Sequence, residues 1–328
     1  MMNWNLAVRL ILLVSFASST LAQKKEIKKN KLYDLVVDAG GTGDFTTVQA
    51  AFDAVPFNKE TETKIFIKKG IYKEKLDLPQ NKKHISIIGE DRETVVLTFD
   101  DYASKKNSLG QNIGTTGSSS FFLNGDDFKA ENITFENSSG NVGQAVAVRI
   151  DGDKVVFYNC KFLGYQDTLY AHDSSSRQYY KSCYIEGATD FIFGASTAVF
   201  EDCEIFAKKG GTYITAANTT EGSAYGFVFM NCKLTSDSGA STYYLGRPWR
   251  NYAKTVFINC EMGIHIKPEG WHNWSKPEAE ETAFYAEYQS KGAGGNTISR
   301  VSWSRVLSPA QFESYNLKTI FKDWIPEL

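Results

Sequence analysis

The chain has 328 residues, of which 42% are hydrophobic and 14% are aromatic, so it can bury a large core, and we expect one main domain rather than two. Its 36 Lys and Arg residues nearly balance its 38 Asp and Glu residues, giving a net charge of −2. This balance excludes the strongly basic surface that is typical of nucleic-acid-binding proteins.

Residues 1–22 have the pattern of a secretory signal peptide. Arg9 precedes an apolar run from Leu10 to Ala17, and a short segment of mainly small residues ends at Ala22. A membrane anchor is the alternative, but the apolar run is shorter than the about 20 residues that a spanning helix needs. We therefore expect a secreted or periplasmic protein without stable membrane association, and a disordered basic leader over residues 23–32.

The folded region is predicted to begin with a strand at residues 33–39, followed by a glycine-rich turn. Thr46 or Thr47 is then expected to cap a short amphipathic helix that ends before Pro56. Stacked strands leave an apolar face and an open edge at each end of the stack. We expect this helix to cover the first of those ends.

Alternating hydrophobic and polar residues predict strands at 64–72 and 84–90. The next stretch, residues 101–120, is rich in Gly, Ser, Thr and Asn, which indicates a long excursion away from the strands. An excursion on one side of stacked strands is suited to forming the wall of a groove.

The five cysteines lie inside one recurring phrase, and the steps between them are 23, 20, 29 and 28 residues. In each phrase an aromatic residue stands three positions before the cysteine, a small polar residue stands directly before it, and an apolar residue follows two positions later. A repeat of this length that holds one strand phrase is typical of a solenoid of stacked strands. We therefore predict an all-β, right-handed parallel β-helix with short capping helices at its ends. The phrases are Val155–Phe162, Gln178–Ile185, Ala198–Ile205, Phe227–Leu234 and Thr255–Met262.

We expect the cysteine position of the repeat to require only an apolar side chain of modest size, because the earlier phrase at 130–135 has Ile133 in that place. Five cysteines cannot all pair with one another. Neighbouring coils lie close enough for some to be bridged, but we expect an internal ladder of mostly free thiols.

The repeat also aligns two carboxylates. Asp167 and Asp190 each follow a cysteine of the repeat, Cys160 and Cys183, by seven residues. Matching turns would bring the two side chains to equivalent positions on successive coils, about 4.8 Å apart along the stack. Two such carboxylates resist ionising together and can divide the roles of acid and nucleophile between them.

After Cys260 the repeat decays, and Ser308 followed by Pro309 predicts the start of a C-terminal helix. No zinc-binding spacing occurs and the four histidines are scattered, so we expect no metal and no cofactor. Among these histidines, His172 is expected to be a solvent-facing loop residue.

Five short motifs occur in a fixed order, and together they resemble the pectin methylesterase (pectinesterase) family, carbohydrate esterase family 8. The resemblance covers about residues 33–325, which we expect to form one catalytic β-helix domain of the pectin-lyase-like type. The overall texture of the sequence looks more like bacterial than plant members. The motifs are Gly70–Glu74, Gln144–Arg149, Gly164–Tyr170, Asp190–Gly194 and Leu245–Trp249.

This resemblance implies hydrolysis of the C6 methyl esters of homogalacturonan to pectate and methanol through an aspartyl acyl-enzyme, in pectin degradation or cell-wall modification. Asp190 matches the family's nucleophile and Asp167 matches its general acid and base. Arg247 matches the residue that orients and ionises the nucleophile. Gln144 and Gln166 match the donors to the oxyanion.

Four aromatic residues match the family's groove-lining positions, where flat rings pack on sugars. For Phe193 and Trp271, packing in the core is the alternative, because aromatic side chains are commonly buried. The expected partner is methylesterified pectin, and we expect a monomer. The four residues are Tyr170, Phe193, Trp249 and Trp271.

Other functions stay open from sequence alone. Parallel β-helices also carry polygalacturonases, which use paired carboxylates, and pectate lyases, which are expected to gather acidic calcium ligands. A pectin-binding solenoid without catalysis would need aromatic residues in a groove, but not two aspartates, an arginine and two glutamines together.

Overall fold

The computed structural model describes residues 32–328, so the expected signal peptide at 1–22 and nearly all of the basic leader at 23–32 lie outside the described residues. The chain divides into a unit of residues 1–34 and a second unit of residues 35–328. All strands and helices given below belong to the second unit.

Parallel strands of this unit form three sheets. The first sheet contains β1 (Leu35–Val37), β2 (Thr63–Ile67), β5 (Ile85–Gly89), β8 (Lys129–Glu131), β11 (Val155–Tyr158), β14 (Arg177–Lys181), β17 (Thr197–Glu201), β20 (Phe227–Met230), β23 (Lys254–Ile258), β25 (Phe284–Tyr288) and β26 (Arg305–Val306). The second contains β3 (Gly70–Lys73), β6 (Val95–Phe99), β9 (Thr134–Asn137), β12 (Lys161–Leu163), β15 (Tyr184–Gly187), β18 (Glu204–Ala207), β21 (Lys233–Ser236) and β24 (Glu261–Met262). The third contains β4 (Leu76–Leu78), β7 (Phe121–Leu123), β10 (Val148–Ile150), β13 (Leu169–Ala171), β16 (Thr189–Gly194), β19 (Tyr213–Ala217) and β22 (Tyr244–Gly246).

From β2 to β22 the chain visits the three sheets in turn, and each coil adds one strand to each sheet. In one coil, for example, β11, β12 and β13 follow one another along the chain and pair with β14, β15 and β16 of the next coil. Parallel connections of this kind are right-handed in nearly all proteins. The architecture is the predicted right-handed parallel β-helix, with the main apolar core enclosed between the three sheets.

The aromatic residues of the repeat stand in register on successive strands of the first sheet, as predicted. All five are buried in the core. Successive rings are stacked, with centroids 5.2, 4.5, 4.5 and 4.4 Å apart. This ladder lets every coil bury a ring against both neighbours. Its members are Phe157, Tyr180, Phe200, Phe229 and Phe257.

The small polar residue before each cysteine makes the sharp turn from the first sheet to the second. These residues have φ between 50° and 55°, the left-handed region that Asn and Asp tolerate better than most residues with a side chain. The turn therefore explains why the repeat has short polar residues at this position. They are Asn159, Ser182, Asp202, Asn231 and Asn259.

The five cysteines are free and buried. Each sulfur lies 3.3 to 3.6 Å from a backbone carbonyl of the preceding coil, so the thiols form the expected internal ladder. Burial raises the pKa of the Cys160 thiol to about 12. The cysteines thus act as small apolar side chains of the core.

The predicted N-terminal helix is α1 (Val48–Ala54), and its cap is Thr47, whose hydroxyl oxygen accepts from the Ala50 amide at 3.3 Å. The ring of Phe52 in this helix stacks on the ring of Phe121, with centroids 5.7 Å apart, which joins the helix to the main core. The single strand predicted at 64–72 is wrong, because the chain leaves the first sheet after β2 and enters the second at β3.

Four further short helices are α2 (Gly114–Gly117), α3 (Pro277–Thr282), α4 (Pro309–Phe312) and α5 (Leu317–Phe321). Ser308 caps α4 in a capping box with Gln311, as the sequence indicated. Ile320 and Phe321 of α5 bury an apolar stripe on the outer face of the first sheet, so this helix lies on that face. At the last coils, Trp303 packs against the main core, 5.8 Å from the ring of Tyr285.

Candidate active site

Two glutamines and two aspartates meet on neighbouring coils. Gln144 pairs with Gln166 in a parallel bridge, and Gln166 pairs in turn with Thr189. Asp167 and Asp190 directly follow Gln166 and Thr189, and the pairing of Leu169 with Ile192 continues the same register. The alignment predicted from the cysteine spacing is therefore confirmed.

Both aspartates have left-handed backbone conformations, with φ of 64° at Asp167 and 51° at Asp190. The pairing of β16 with β19 shifts register between Thr189 and Ile192, which marks a bulge at Asp190. Bulges and uncommon backbone angles cluster at functional sites, where they redirect a side chain. Here they bring two carboxylates out of a sheet otherwise built of regular strands.

Arg247 holds both carboxylate oxygens of Asp190. Its Nε donates to Oδ1 at 2.9 Å, and its Nη2 donates to Oδ2 at 2.6 Å. The guanidinium itself lies between two rings, 3.8 Å from the ring centroid of Tyr213 and 3.6 Å from that of Trp274. This bidentate pairing and stacking fix the orientation of the Asp190 carboxylate.

The two aspartates differ in their electrostatic surroundings. Burial raises the pKa of Asp190, while the hydrogen bonds and positive charge of Arg247 oppose that rise. Burial and the nearby charge of Asp190 raise the pKa of Asp167 well above its usual range. When the pair carries a single proton, Asp167 is therefore the residue that keeps it, and Asp190 is the ionised one.

These side chains open on a cleft of about 630 Å³. Eight of the nine site residues predicted from the sequence line it, including both aspartates, Arg247 and both glutamines. The rings of Tyr170 and Phe193 stack on each other at 4.0 Å along one wall. The lining residues are Ile113, Gly114, Thr115, Thr116, Gln144, Gln166, Asp167, Tyr170, Asp190, Phe193, Ala216, Arg247, Trp249 and Trp274.

Trp271 does not line the cleft, and its predicted groove position is wrong. Its side chain is 1% exposed and stacks on Tyr285 inside the core, with ring centroids 4.3 Å apart. Three residues later, Trp274 supplies a ring to the cleft and covers the guanidinium of Arg247. Sequence reasoning chose Trp271 and missed Trp274.

The predicted excursion does form a wall of the cleft. Ile113 and three residues of α2, Gly114, Thr115 and Thr116, line it. The prediction of a solvent-facing His172 is only partly right. Its Nδ1 lies 2.5 Å from Asp151 and 3.0 Å from Arg149, and its ring meets Tyr170 edge-on at 4.7 Å.

Within residues 32–328, no group of three or more His, Cys, Asp and Glu side chains is arranged to hold a metal ion. In the same part of the chain, no helix is long and apolar enough to cross a membrane.

Comparisons with known proteins show the family of the chain. The profile of the family described as Pectinesterase matches residues 34–323. Pectinesterase 31 of Arabidopsis thaliana is 42% identical over 276 residues, which cover 83% of this chain and 86% of the relative.

Among solved structures, a pectin methylesterase from carrot is 35% identical with a TM-score of 0.79, covering 88% of this chain and 92% of its own. The pectin methylesterase PemA from Erwinia chrysanthemi is 29% identical with a TM-score of 0.79, covering 91% of this chain and 99% of its own. A closer likeness to bacterial members is not supported, because the plant proteins have the higher identities.

Proposed function

The chain belongs to the pectinesterase family, and from this premise we propose that it hydrolyses the C6 methyl esters of homogalacturonan through an acyl-enzyme on Asp190. It is a carboxylic ester hydrolase. The observation that carries the proposed roles is the unequal pair of aspartates. Arg247 donates hydrogen bonds to both oxygens of Asp190, whereas it donates none to Asp167, and burial beside the charge of Asp190 raises the pKa of Asp167 well above its usual range.

In the first half-reaction, a carboxylate oxygen of Asp190 attacks the C6 carbonyl carbon of the ester. The negative charge that develops on the carbonyl oxygen is stabilised by the side-chain amides of Gln144 and Gln166, and each such donor is worth about 3 kcal/mol. The bond from C6 to the methoxy oxygen then breaks, and Asp167 donates its proton to that oxygen. Methanol leaves, and C6 remains joined to Asp190 as an anhydride.

In the second half-reaction, Asp167 is ionised and acts as a general base. It takes a proton from a water molecule whose oxygen attacks C6 of the anhydride. The same two amides stabilise the second oxyanion, and the bond to Asp190 breaks to give the carboxylic acid. The acid loses its remaining proton to solvent, and the product leaves as a carboxylate. Asp190 is again ionised and bound to Arg247, and Asp167 again holds a proton, so the cycle is closed.

Neutral amides suit this reaction better than a cation would. A permanent positive charge at the oxyanion position would also bind the carboxylate product, whereas an amide stabilises the transient charge with less retention of the product. The positive charge of the site, Arg247, is instead held against Asp190 by two hydrogen bonds and two rings.

The substrate is proposed to lie along the cleft, with sugar faces on the rings of Tyr170, Phe193, Trp249 and Trp274. One solved pectin methylesterase, which is 30% identical to this chain with a TM-score of 0.79, is in complex with a hexasaccharide. This similarity supports an oligosaccharide as the ligand. Because pectin is a cell-wall polymer and residues 1–22 have a signal pattern, we also propose action outside the cytoplasm, as a monomer.

The direct test is methanol release from highly methylesterified pectin, with reducing ends and unsaturated products assayed in the same samples. Asp190→Asn and Asp167→Asn are expected to abolish nearly all methanol release. The matched control is Asp202→Asn, because Asp202 has nearly the same backbone φ as Asp190, 53° against 51°, and four other coils have Asn in its position.

Methanol from the parent and from the control, without cleavage of the chain, supports the proposal. New reducing ends would instead indicate a glycosidase, and unsaturated ends would indicate a lyase. No methanol from folded parent enzyme would contradict the proposed substrate.

A further inference from the structure

One buried amide joins the excursion to the site. Asn137, the last residue of β9, is 3% exposed and lies outside the cleft lining. Its Nδ2 donates toward three backbone carbonyls: Asp101 at 2.8 Å, Ser118 at 3.2 Å and Val146 at 3.1 Å. Its Oδ1 accepts from the Ser139 amide at 3.1 Å. Asp101 and Ser118 are the two ends of the excursion, so one side chain ties both ends together.

The third carbonyl connects this amide to Gln144. Val146 lies two residues after Gln144, and its own amide donates to the Ser118 hydroxyl at 3.2 Å. On the other side, the amide of Ala103 donates to the carbonyl oxygen of Gln144 at 2.8 Å. The backbone around Gln144 is therefore bonded at both sides to the parts of the excursion that Asn137 holds.

The same bonds hold the cleft wall that the excursion forms. The Ser118 hydroxyl donates to the carbonyl of Thr115 at 2.6 Å, and the amide of Gly114 donates to the carbonyl of Ala103 at 3.0 Å. Thr115 and Gly114 line the cleft. A shift at Asn137 would thus move Gln144 and the cleft wall that the excursion forms.

We propose that Asn137 is a positioning residue that holds the Gln144 amide in place for the developing oxyanion. This inference rests on the proposed role of Gln144. A buried amide suits the task, because it has two N–H bonds to share among carbonyls. Its loss would leave the carbonyls of Asp101 and Ser118 without this donor, whereas the Val146 carbonyl also accepts from the Ser120 amide at 2.9 Å. Small displacements of a donor are costly in catalysis, since a shift of about 1 Å can lower a rate about 100-fold.

The test is a double-mutant cycle of Asn137→Asp and Gln144→Ala, with kcat and KM measured for methanol release and folding checked by thermal unfolding. Asn137→Asp keeps the shape of the side chain but replaces the two N–H donors. We expect it to lower kcat about 10- to 100-fold. In the Gln144→Ala background the same change is expected to lower kcat less than about threefold, because the donor that it positions is already gone.

Lys105→Gln serves as the control for general loosening of the excursion. Lys105 pairs with the side chain of Asp101 at 2.6 Å, so this change removes a different bond at the same end of the excursion. We expect its kcat to stay within about twofold of the parent, because Lys75 still pairs with Asp101. A loss equal to that of Asn137→Asp would show a general effect of the excursion and overturn the inference.

Further outcomes separate this inference from the proposed function. An equal loss of kcat from Asn137→Asp in both backgrounds, or an unchanged kcat in a folded Asn137→Asp enzyme, would overturn the positioning role. An unchanged kcat in Gln144→Ala would instead contradict the oxyanion role of Gln144 itself. If Asn137→Asp does not fold, Asn137→Ser keeps one donor and is measured in the same cycle, with a smaller but still coupled loss of kcat expected.

Discussion

Arg247→Gln is expected to move the pH dependence of catalysis in one direction. Asp190 must be ionised to attack, burial raises its pKa, and Arg247 opposes that rise. Without the guanidinium the pKa of Asp190 rises further, so a larger fraction is protonated at any given pH. Activity should therefore be lost first at low pH and partly regained as the pH increases, because the acid limb of the profile shifts to higher pH.

The size of the loss follows from the two hydrogen bonds, at 2.9 and 2.6 Å. Taking about 1.5 kcal/mol for each hydrogen bond to a charged group gives about 3 kcal/mol, which corresponds to a fall of roughly 100-fold in kcat/KM below the shifted limb. Arg247→Lys should recover only part of this loss, because a lysine cannot reproduce the bidentate pairing or the stacking between Tyr213 and Trp274.

The assay is the rate of methanol release at low substrate concentration across the pH range. Arg250→Gln is the matched control, since it removes the same charge from an exposed residue three positions later. A uniform loss at every pH, with the acid limb unmoved, would refute the proposed effect on Asp190. So would an equal shift in Arg250→Gln, because the shift would then reflect net charge.

Three further predictions concern burial. Because the pKa of Asp167 is raised in the folded protein, the folded protein binds more protons than the unfolded chain between the usual Asp pKa and the raised one, and this group lowers stability as the pH rises through that range. Asp167→Asn should therefore raise Tm at neutral pH by a few degrees. A Tm that is unchanged or lowered at neutral pH would contradict this. Trp271→Leu should lower Tm by several degrees and leave KM within about twofold of the parent value, because Trp271 is buried in the core. Trp249→Leu should raise KM with little change in Tm, because Trp249 lines the cleft. The reverse pattern would return Trp271 to the groove. A thiol reagent should label none of the five cysteines of the folded enzyme within minutes and all five in denaturant, and rapid labelling of the native enzyme would contradict the buried ladder.

Much of this architecture could be predicted because the same residue types recur at fixed positions in each repeat. Each of the five cysteine-containing coils needs a residue that tolerates positive φ directly before the cysteine and an aromatic ring three positions before the cysteine. Asn231 and Phe229, for example, directly indicate a turn and a ring in the aromatic ladder. The same spacing fixed the register of Asp167 and Asp190. Local chemistry and long-range packing agree at these positions, which is why the sequence alone sufficed.

Other features depend on contacts that residue types do not encode. The alternation through 64–72 continues across the point where the chain changes sheets, so periodicity could not separate β2 from β3. Trp271 and Trp274 stand three residues apart, and only the folded path decides which ring enters the core. Asn137 acts through backbone carbonyls of residues far along the chain, and no motif signals such a bond.

The most direct test of the central claim is to trap the covalent intermediate on Asp190. A phenyl ester of an oligogalacturonate has a leaving group that does not require protonation by Asp167, whereas the following attack by water still requires a base. Mixed with Asp167→Asn enzyme and quenched in acid, it should leave an adduct with the mass of the oligogalacturonate acyl group. Peptide mapping should place that adduct on Asp190, within Thr189–Gly194. An adduct on another residue, or rapid release of phenol by this enzyme with no adduct at any time, would contradict Asp190 as the nucleophile.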